Sequence, residues 1–224
     1  MCIVIHMTTT TMLDQPIEGL WATSGSPLPF DKSVSIRAFL LEREEGNVIV
    51  YNAPGFESAA GEIRARGGAS TLLINHGHEA MVGAPPIDAP VFVHECDSAD
   101  LTGTMPVAGT FSGRERIGKD LEVIPIPGHT PGATAFLWDS GVHRFLFTGD
   151  SVWIDHGEWS AVVLDPGGRQ DYVSSLTMMR DLDFDVLVPW GATQGEPYVS
   201  LVGRSEAQER LDAIIQRVEK GGNR

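Results

Sequence analysis

Four side chains of the sequence combine residue types and spacing that suit a metal ion. His76 and His78 form a His-x-His pair, whose imidazoles can turn toward one point from a strand or an irregular turn. His129 and Asp150 follow further along the chain. Imidazole and carboxylate groups are common ligands of Zn²⁺, which they hold at about 2.0–2.1 Å. A His-x-His pair alone is more often structural, so the prediction of a metal site rests on all four residues together.

The elements that must position these ligands are short apolar runs. Thr71–Ile74, Leu121–Ile126 and Arg144–Phe147 predict buried strands, and each run ends shortly before one of the candidate ligands. Loops at strand ends are where a rigid scaffold presents functional groups. The sequence therefore predicts that separate strands bring the four ligands to one edge of the fold.

The rest of the chain alternates predicted strands with predicted helices. Strands are expected at Val34–Glu42, Asn47–Tyr51, Val91–His94, Thr134–Trp138 and Val186–Val188, and helices at Glu57–Arg66, at Gln170–Asp181 and from Ser205 onward. Ser205 and Gln208 have the spacing of a capping box. Such alternation implies sheets covered by helices. Without a linker or repeat, we expect a single domain over residues 1–224, with residues 1–16 extended or disordered.

Composition narrows the classes of function. Sixteen basic and thirty acidic residues give a formal net charge of −14, which argues against nucleic-acid binding. No apolar run approaches the roughly 20 residues that span a bilayer, so no membrane partner is expected. Cys2 and Cys96 do not form a disulfide framework, which favours a cytoplasmic location. The segment Met1–Met7 is not typical of a signal peptide, and Met7 is an alternative start. We expect a small-molecule substrate, and a homodimer stays open.

Three ordered segments resemble the metallo-β-lactamase superfamily. TLLINHGHEAMVGA at Thr71–Ala84 resembles its first metal-binding motif, IPGHTPG at Ile126–Gly132 its second, and FTGD at Phe147–Asp150 its third. The following helix and last strand are similar to those of hydroxyacylglutathione-hydrolase-like members, and the whole resemblance runs roughly from Ile17 to Pro197. It implies an α/β protein with the metallo-β-lactamase-like αββα four-layer sandwich.

The resemblance is complete for one metal site and incomplete for another. The four candidate ligands match the first site, with Asp150 in the place of the carboxylate that bridges two metals in binuclear members. The aspartate and histidine that bind the second metal fall on Ala80 and Met81, and the last family histidine has no counterpart around Trp190. Asn52 stands where many members have a supporting aspartate. Because the missing ligands all belong to the second site, we expect a degenerate member with one divalent metal.

One such metal predicts a mononuclear hydrolase that acts on a small ester, thioester or lactone. Zn²⁺ is the expected ion and Fe²⁺ the alternative. Asp150 and Glu79 are the candidate catalytic groups, and Glu79 would replace the missing aspartate that orients the attacking water, unless it is an ordinary solvated side chain. Two other functions stay open. One is a catalytically silent binding protein, and the other is an iron oxidoreductase that uses His76, His129 and Asp150.

Further residues near these segments have weaker candidate roles. Trp153, His156 and Trp159 follow the third segment closely, and they either line the substrate cleft or pack in the core. The indole of Trp190 could fill the place of the second metal. His94 follows a strand end, but we expect it, like Cys96, to be an ordinary packed residue.

Overall fold

A computed structural model describes residues 11–223, which form three sheets and three helices. The strands are β1 (Leu13–Ile17), β2 (Leu20–Thr23), β3 (Ser26–Pro27), β4 (Val34–Ile36), β5 (Phe39–Leu41), β6 (Val48–Val50), β7 (Thr71–Leu73), β8 (Val91–His94), β9 (Val107–Phe111), β10 (Glu115–Ile117), β11 (Leu121–Pro125), β12 (Thr134–Asp139), β13 (Arg144–Gly149), β14 (Trp153–Asp155), β15 (Glu158–Ser160), β16 (Val186–Pro189), β17 (Gly191–Thr193) and β18 (Ser200–Leu201). The helices are α1 (Phe56–Ala65), α2 (Arg169–Asp181) and α3 (Arg204–Glu219).

The strands are shared among one sheet of seven, one of six and one of five. The orders are β1-β2-β5-β6-β7-β8-β9, β10-β11-β12-β13-β16-β18 and β15-β14-β17-β4-β3. Part of the expected N-terminal segment is thus extended, because β1 pairs with β2. Cys2 and the alternative starts Met1 and Met7 lie outside the described residues.

The two large sheets pack face to face because their strands are apolar on both sides. In β6, Val50 lies in the core between the sheets and Ile49 in the core under α1. In β12, Trp138 lies between the sheets and Leu137 in the core under α2 and α3. Successive strand residues point to opposite faces, so each strand serves two cores. The layer order of helix, sheet, sheet and helices is the αββα sandwich that the sequence predicts.

Strand direction brings the ligand-bearing loops to one edge. Both β11 and β13 run antiparallel to β12, so they end at the same side of the six-stranded sheet. The loop after β7 reaches this edge from the other large sheet, because the amide of Thr134 donates to the carbonyl of Asn75 over 2.9 Å. The ends of β7, β11 and β13 therefore meet at one place.

One predicted strand divides between two sheets. The apolar run Val34–Glu42 forms β4 in the five-stranded sheet and β5 in the seven-stranded sheet. Between them, the amide of Arg37 donates to the carbonyl of Trp190, and the amide of Ala38 donates to Oγ1 of Thr23. These partners are distant in sequence, so an uninterrupted apolar run gives no sign of the change.

The predicted helices differ from the observed ones mainly at their ends. Helices α1 and α2 each begin one residue before the prediction. Helix α3 begins at Arg204 with Gly203 as its N-cap and no capping hydrogen bond from a side chain, so the capping box at Ser205 and Gln208 is wrong. Within residues 11–223, no helix has the length and apolar character to cross a bilayer.

Candidate metal centre

Side-chain atoms of the four predicted ligands converge on one point. One ligand atom from each of His76, His78, His129 and Asp150 lies within 4.8 Å of all the others. Nε2 of His129 is 3.3 Å from Nδ1 of His78 and 3.8 Å from Oδ2 of Asp150, and Nε2 of His76 is 3.5 Å from that same oxygen. Ligands about 2.1 Å from a tetrahedral zinc lie about 3.4 Å from one another. The spacing therefore fits a single cation.

The electrostatics of the cluster also favour a positive charge at its centre. His76 is fully buried, and neither of its ring nitrogens has a hydrogen-bond partner. Burial acts to lower the pKa of His76, but the carboxylates of Asp150 and Glu79, at 3.5 and 3.6 Å, raise it to about 10. Burial acts to raise the pKa of Asp150, but the imidazoles, His76 foremost, lower it. Buried imidazole nitrogens without hydrogen-bond partners, beside the carboxylate of Asp150, form a donor set that suits a divalent metal.

Burial favours the neutral form of the other two histidines, and a contact with the backbone orients His129 for ligation. Burial lowers the pKa of His129 to about 4, and burial together with His76 lowers the pKa of His78. Nδ1 of His129 faces the carbonyl of Val162 at 3.4 Å. A proton on that nitrogen leaves Nε2 as the lone pair that points into the cluster, which is how metal-binding histidines are usually held.

Glu79 does not occupy the place that the sequence suggests. Its side chain is fully buried: Oε1 accepts from the amides of Asn75 and His76 at 2.7 and 3.3 Å, and Oε2 accepts from the amide of Asn52 at 2.7 Å. Burial raises the pKa of Glu79, against the opposing effect of His76 and these amides. The carboxylate faces the back of His76 and does not line the cleft. The expectation of a solvated side chain is therefore wrong, whereas a role of Glu79 in orienting the attacking water stays a prediction that its position behind His76 does not favour.

Asp97 supports two of the ligand loops, and its position was not predicted from the sequence. Its buried carboxylate accepts from the amide of Gly77 at 2.9 Å, from the hydroxyl of Thr130 at 2.6 Å and from the amide of Gly132 at 2.7 Å. Gly77 lies between two ligands, and Thr130 follows a third. Asp97 thus joins the first two ligand loops from behind. One feature of the sequence could have identified Asp97: it follows shortly after β8, and the four ligands likewise follow the ends of strands.

The third ligand loop is held by a backbone that requires glycine. Gly149 has a φ of 57°, and a Cβ there would overlap the side chain of Asn75. Its amide donates to the hydroxyl of Tyr51 at 2.8 Å, and this hydroxyl donates to the carbonyl of Val188 at 2.7 Å. The small residue and the buried tyrosine place Asp150 at the end of β13. Tyr51 was also missed, because its partners lie far along the chain.

A buried indole packs against the edge of the cluster. Trp190 is 2% exposed, its ring centroid lies 5.4 Å from that of His76 in an edge arrangement, and its Nε1 donates to the carbonyl of Asn52 at 2.8 Å. Ala80 and Met81 lie on the 3₁₀ turn Gly77–Val82, and neither offers a nitrogen or oxygen ligand from its side chain. None of these three side chains supplies a ligand atom to the cluster, and of the three only Trp190 is buried beside His76.

A cleft of about 360 Å³ opens directly onto the cluster. This volume lies within the range of small-molecule sites. It is lined by Leu28, Phe30, Asp31, Val34, His78, Met81, His129, Asp150, Trp153, Val162, Leu164 and Gly191. Three of the four cluster residues face the cleft, and His76 lies behind them. A molecule in the cleft thus has direct access to the centre of the cluster.

The residues with weaker candidate roles lie in different environments: the cleft, the core or the surface. Trp153 lines the cleft and also belongs to the core between the two large sheets, so both alternatives hold for it. Trp159 belongs to the core under α2 and α3, and His156 lies at the surface with its Nδ1 2.9 Å from Glu196. His94 is buried and its Nδ1 accepts from the amide of Cys96, so it is a packed residue as expected. Cys96 itself is exposed, which contradicts the expectation that it is packed.

Comparison with known families agrees with this geometry. A sequence model described as the metallo-beta-lactamase superfamily matches residues 58–191, more than half of the chain. The chain belongs to the metallo-beta-lactamase superfamily. The matched range includes all four cluster residues, Asp97 and Trp190. A comparison with curated protein sequences gives no significant match.

Solved structures of this superfamily share the fold at low sequence identity. The metallo-beta-lactamase GOB-18 from Elizabethkingia meningoseptica is 17% identical, with a TM-score of 0.62 over 90% of this chain and 88% of that one. BJP-1, a subclass B3 enzyme of Bradyrhizobium japonicum, is 16% identical, with a TM-score of 0.61 over 94% and 93%. The class B3 di-zinc enzyme LRA-12 from an Alaskan soil metagenome is 18% identical, with a TM-score of 0.58 over 90% of each chain. At this identity the likeness extends to the fold alone.

Proposed function

We propose that this protein is a mononuclear zinc hydrolase of small esters, thioesters or lactones. The observation that carries the proposal is the convergence of three imidazole nitrogens and one carboxylate oxygen on the floor of an open cleft. Imidazole-rich sites with one carboxylate suit zinc, and LRA-12, which shares the fold, is described as a di-zinc enzyme. The side chains of Ala80 and Met81 support a site for one metal.

The chain's own residues divide the work of such a reaction. A bound divalent metal supplies Lewis acidity that polarises a carbonyl group and acidifies water. His78, His129 and Asp150 place their ligand atoms at the cleft floor, so a carbonyl carbon in the cleft lies beside them. The ionised Asp150 is the cluster's carboxylate at that floor, and it serves as ligand and proton acceptor. His76 and Glu79 hold the site from behind.

Metal content and hydrolysis, measured together, test this proposal. Protein prepared with zinc and then dialysed should retain about one equivalent of zinc and hydrolyse p-nitrophenyl butyrate, a butyryl thioester or γ-butyrolactone. His129→Ala should lose the metal and slow hydrolysis by at least about 10³-fold, since the metal supplies several kcal/mol of transition-state stabilisation. His156→Asn is the matched control: it also removes an imidazole, but from the surface, so zinc content and rate should not change.

Each alternative has its own result. Iron retained in place of zinc would replace the hydrolase with an iron oxidoreductase. Protein that binds no metal under zinc-replete conditions would be a catalytically silent member. Two equivalents of zinc would overturn the mononuclear site, and hydrolysis of a penicillin in preference to every ester and lactone would overturn the substrate class.

A further inference from the structure

The walls of the cleft differ sharply from its floor. Residues 11–223 contain six exposed large apolar side chains, and three of them, Phe30, Met81 and Leu164, line this one cleft. They are 76, 43 and 53% exposed. Below them, Trp153 and Val162 continue the apolar wall toward the cluster. Exposed apolar groups gathered around a concave site mark a surface that binds an apolar partner.

Apart from the histidines of the cluster, the ionisable residues that line the cleft are acidic. Of the twelve lining residues, Asp31 and Asp150 are the acidic ones, and the lining includes no lysine or arginine. Lys32 is exposed beside Asp31 but does not line the cleft. The whole chain carries a formal net charge of −14. A substrate that carries a carboxylate or phosphate away from its reacting carbonyl would meet the negative charge of Asp31 and no lysine or arginine along the walls.

We infer that the cleft binds the uncharged, apolar acyl chain of the substrate, with Phe30, Met81 and Leu164 as specificity-determining residues. The reaction at the cluster rests on the proposed function, whereas the class of ligand rests on the cleft alone. The substrate is then a neutral ester, thioester or lactone of a linear apolar acid. An acyl chain entering between these side chains places its carbonyl carbon beside His129 and Asp150. Hydrolysis there breaks the acyl–oxygen or acyl–sulfur bond, and water supplies the hydroxyl of the acid and the proton of the leaving group.

A chain-length series tests the inference with zinc-loaded protein. The value of kcat/KM for p-nitrophenyl esters of linear acids should rise roughly fourfold for each methylene from the acetyl to the hexanoyl ester, since each buried methylene contributes about 0.8 kcal/mol. Matched esters that end in a carboxylate in place of the terminal methyl group should be slower by about tenfold or more, because that charge would be buried without a partner.

A charge placed on the rim makes the test specific to the cleft. Leu164→Lys should decrease or reverse the ratio of kcat/KM for the methyl-ended ester to kcat/KM for the matched ester that ends in a carboxylate. The reason is that the new ammonium group pairs with that carboxylate. Val142→Lys is the matched control, since it adds the same charge at a residue that is 73% exposed and does not line the cleft. It should leave the preference unchanged. Both sites are exposed, so the variants should fold, as circular dichroism can check.

Binding without turnover separates this inference from the proposed function. Calorimetric titration of octanamide and of its ω-carboxylate analogue should show tighter binding of the neutral amide with or without zinc. Length-dependent binding without any hydrolysis would uphold the cleft assignment and overturn the hydrolase. Hydrolysis with no dependence on chain length, or an equal response in Leu164→Lys and Val142→Lys, would overturn the inference and leave the hydrolase standing. No binding of either amide would also overturn it.

Discussion

The floor and the rim of the cleft are built in opposite ways. At the floor, every ligand segment is tied from behind by buried groups: Asp97 and Glu79 accept backbone amides there, and Tyr51 accepts the amide of Gly149. At the rim, Phe30 and Leu164 are exposed and lie on loops outside the strands and helices. A ligand atom must be held to within a fraction of an ångström, whereas an apolar contact tolerates movement. The capacity to bind metal and the choice of substrate therefore depend on separate residues.

The largest effect on the floor of the cleft should follow from removal of the carboxylate that joins two ligand loops. Asp97→Ala leaves three buried donors without an acceptor, and we expect a loss of about 3 kcal/mol or more in the free energy of unfolding. Zinc affinity should fall about 100-fold, as for other groups that support ligands. Denaturant unfolding and competition with a chelator measure the two effects. Unchanged zinc affinity in the folded variant would show that Asp97 supports the fold alone.

Glu79→Gln should have a smaller effect on the same floor. The amide keeps the size of the side chain, but it leaves at least one of the amides of Asn75, His76 and Asn52 without its acceptor, which costs about 1–3 kcal/mol. Zinc affinity should fall about tenfold, while turnover at saturating zinc stays within a few-fold of the parent rate. Turnover that slows about a hundredfold or more with full zinc content is the signature of general base catalysis and would return Glu79 to the role of catalytic residue.

Tyr51→Phe tests the third ligand loop. Loss of the hydroxyl leaves the amide of Gly149 and the carbonyl of Val188 without this partner, so we expect a loss of about 1–2 kcal/mol in stability. Calorimetry should show a decrease in Tm of about 3–6 °C for a chain of this size. Tyr198→Phe removes a hydroxyl that bonds to Asp14 at the surface and serves as the control. An equal decrease in both variants would contradict a special role for the buried tyrosine.

The smallest effect should come from the rim. Phe30→Ala alters a side chain that is 76% exposed, so stability and zinc content should match the parent protein. The value of kcat/KM for p-nitrophenyl hexanoate should fall about three- to tenfold, and the acetate ester should show little change. Steady-state kinetics with the two esters give this comparison directly. Equal losses on both esters would place Phe30 outside the acyl site.

The sequence predicts the floor far better than the rim. Each ligand stands at a strand end in a short segment with its own glycine pattern, so residue type and spacing are enough to find it. The layers follow in the same way from strands that are apolar on both faces. The groups that hold the ligands are less visible: Tyr51 and Gly149 are 98 residues apart, and no local pattern joins them. The burial of Glu79 behind His76 was not predicted, because sequence position does not give the direction of a side chain.

The rim is harder still to predict, because it depends on which loops come together in space. The cleft combines the segment around Phe30, the turn at Met81 and the chain from Trp153 to Leu164. Apolar residues in loops have no periodicity that would single them out. The division of Val34–Glu42 between β4 and β5 places Val34 in this wall, and only the tertiary hydrogen bonds near Arg37 and Ala38 reveal it.

The contact between Trp190 and His76 should make tryptophan fluorescence sensitive to a metal ion bound at the cluster. An indole whose ring centroid lies 5.4 Å from that of an imidazole ligand is within range of quenching by a paramagnetic ion held there. Titration with Co²⁺ should decrease the fluorescence of Trp190 in proportion to the fraction of protein that holds Co²⁺. Zn²⁺ added afterwards should restore this fluorescence, because it displaces Co²⁺. Trp190 would thus report on the occupancy of the four-residue cluster.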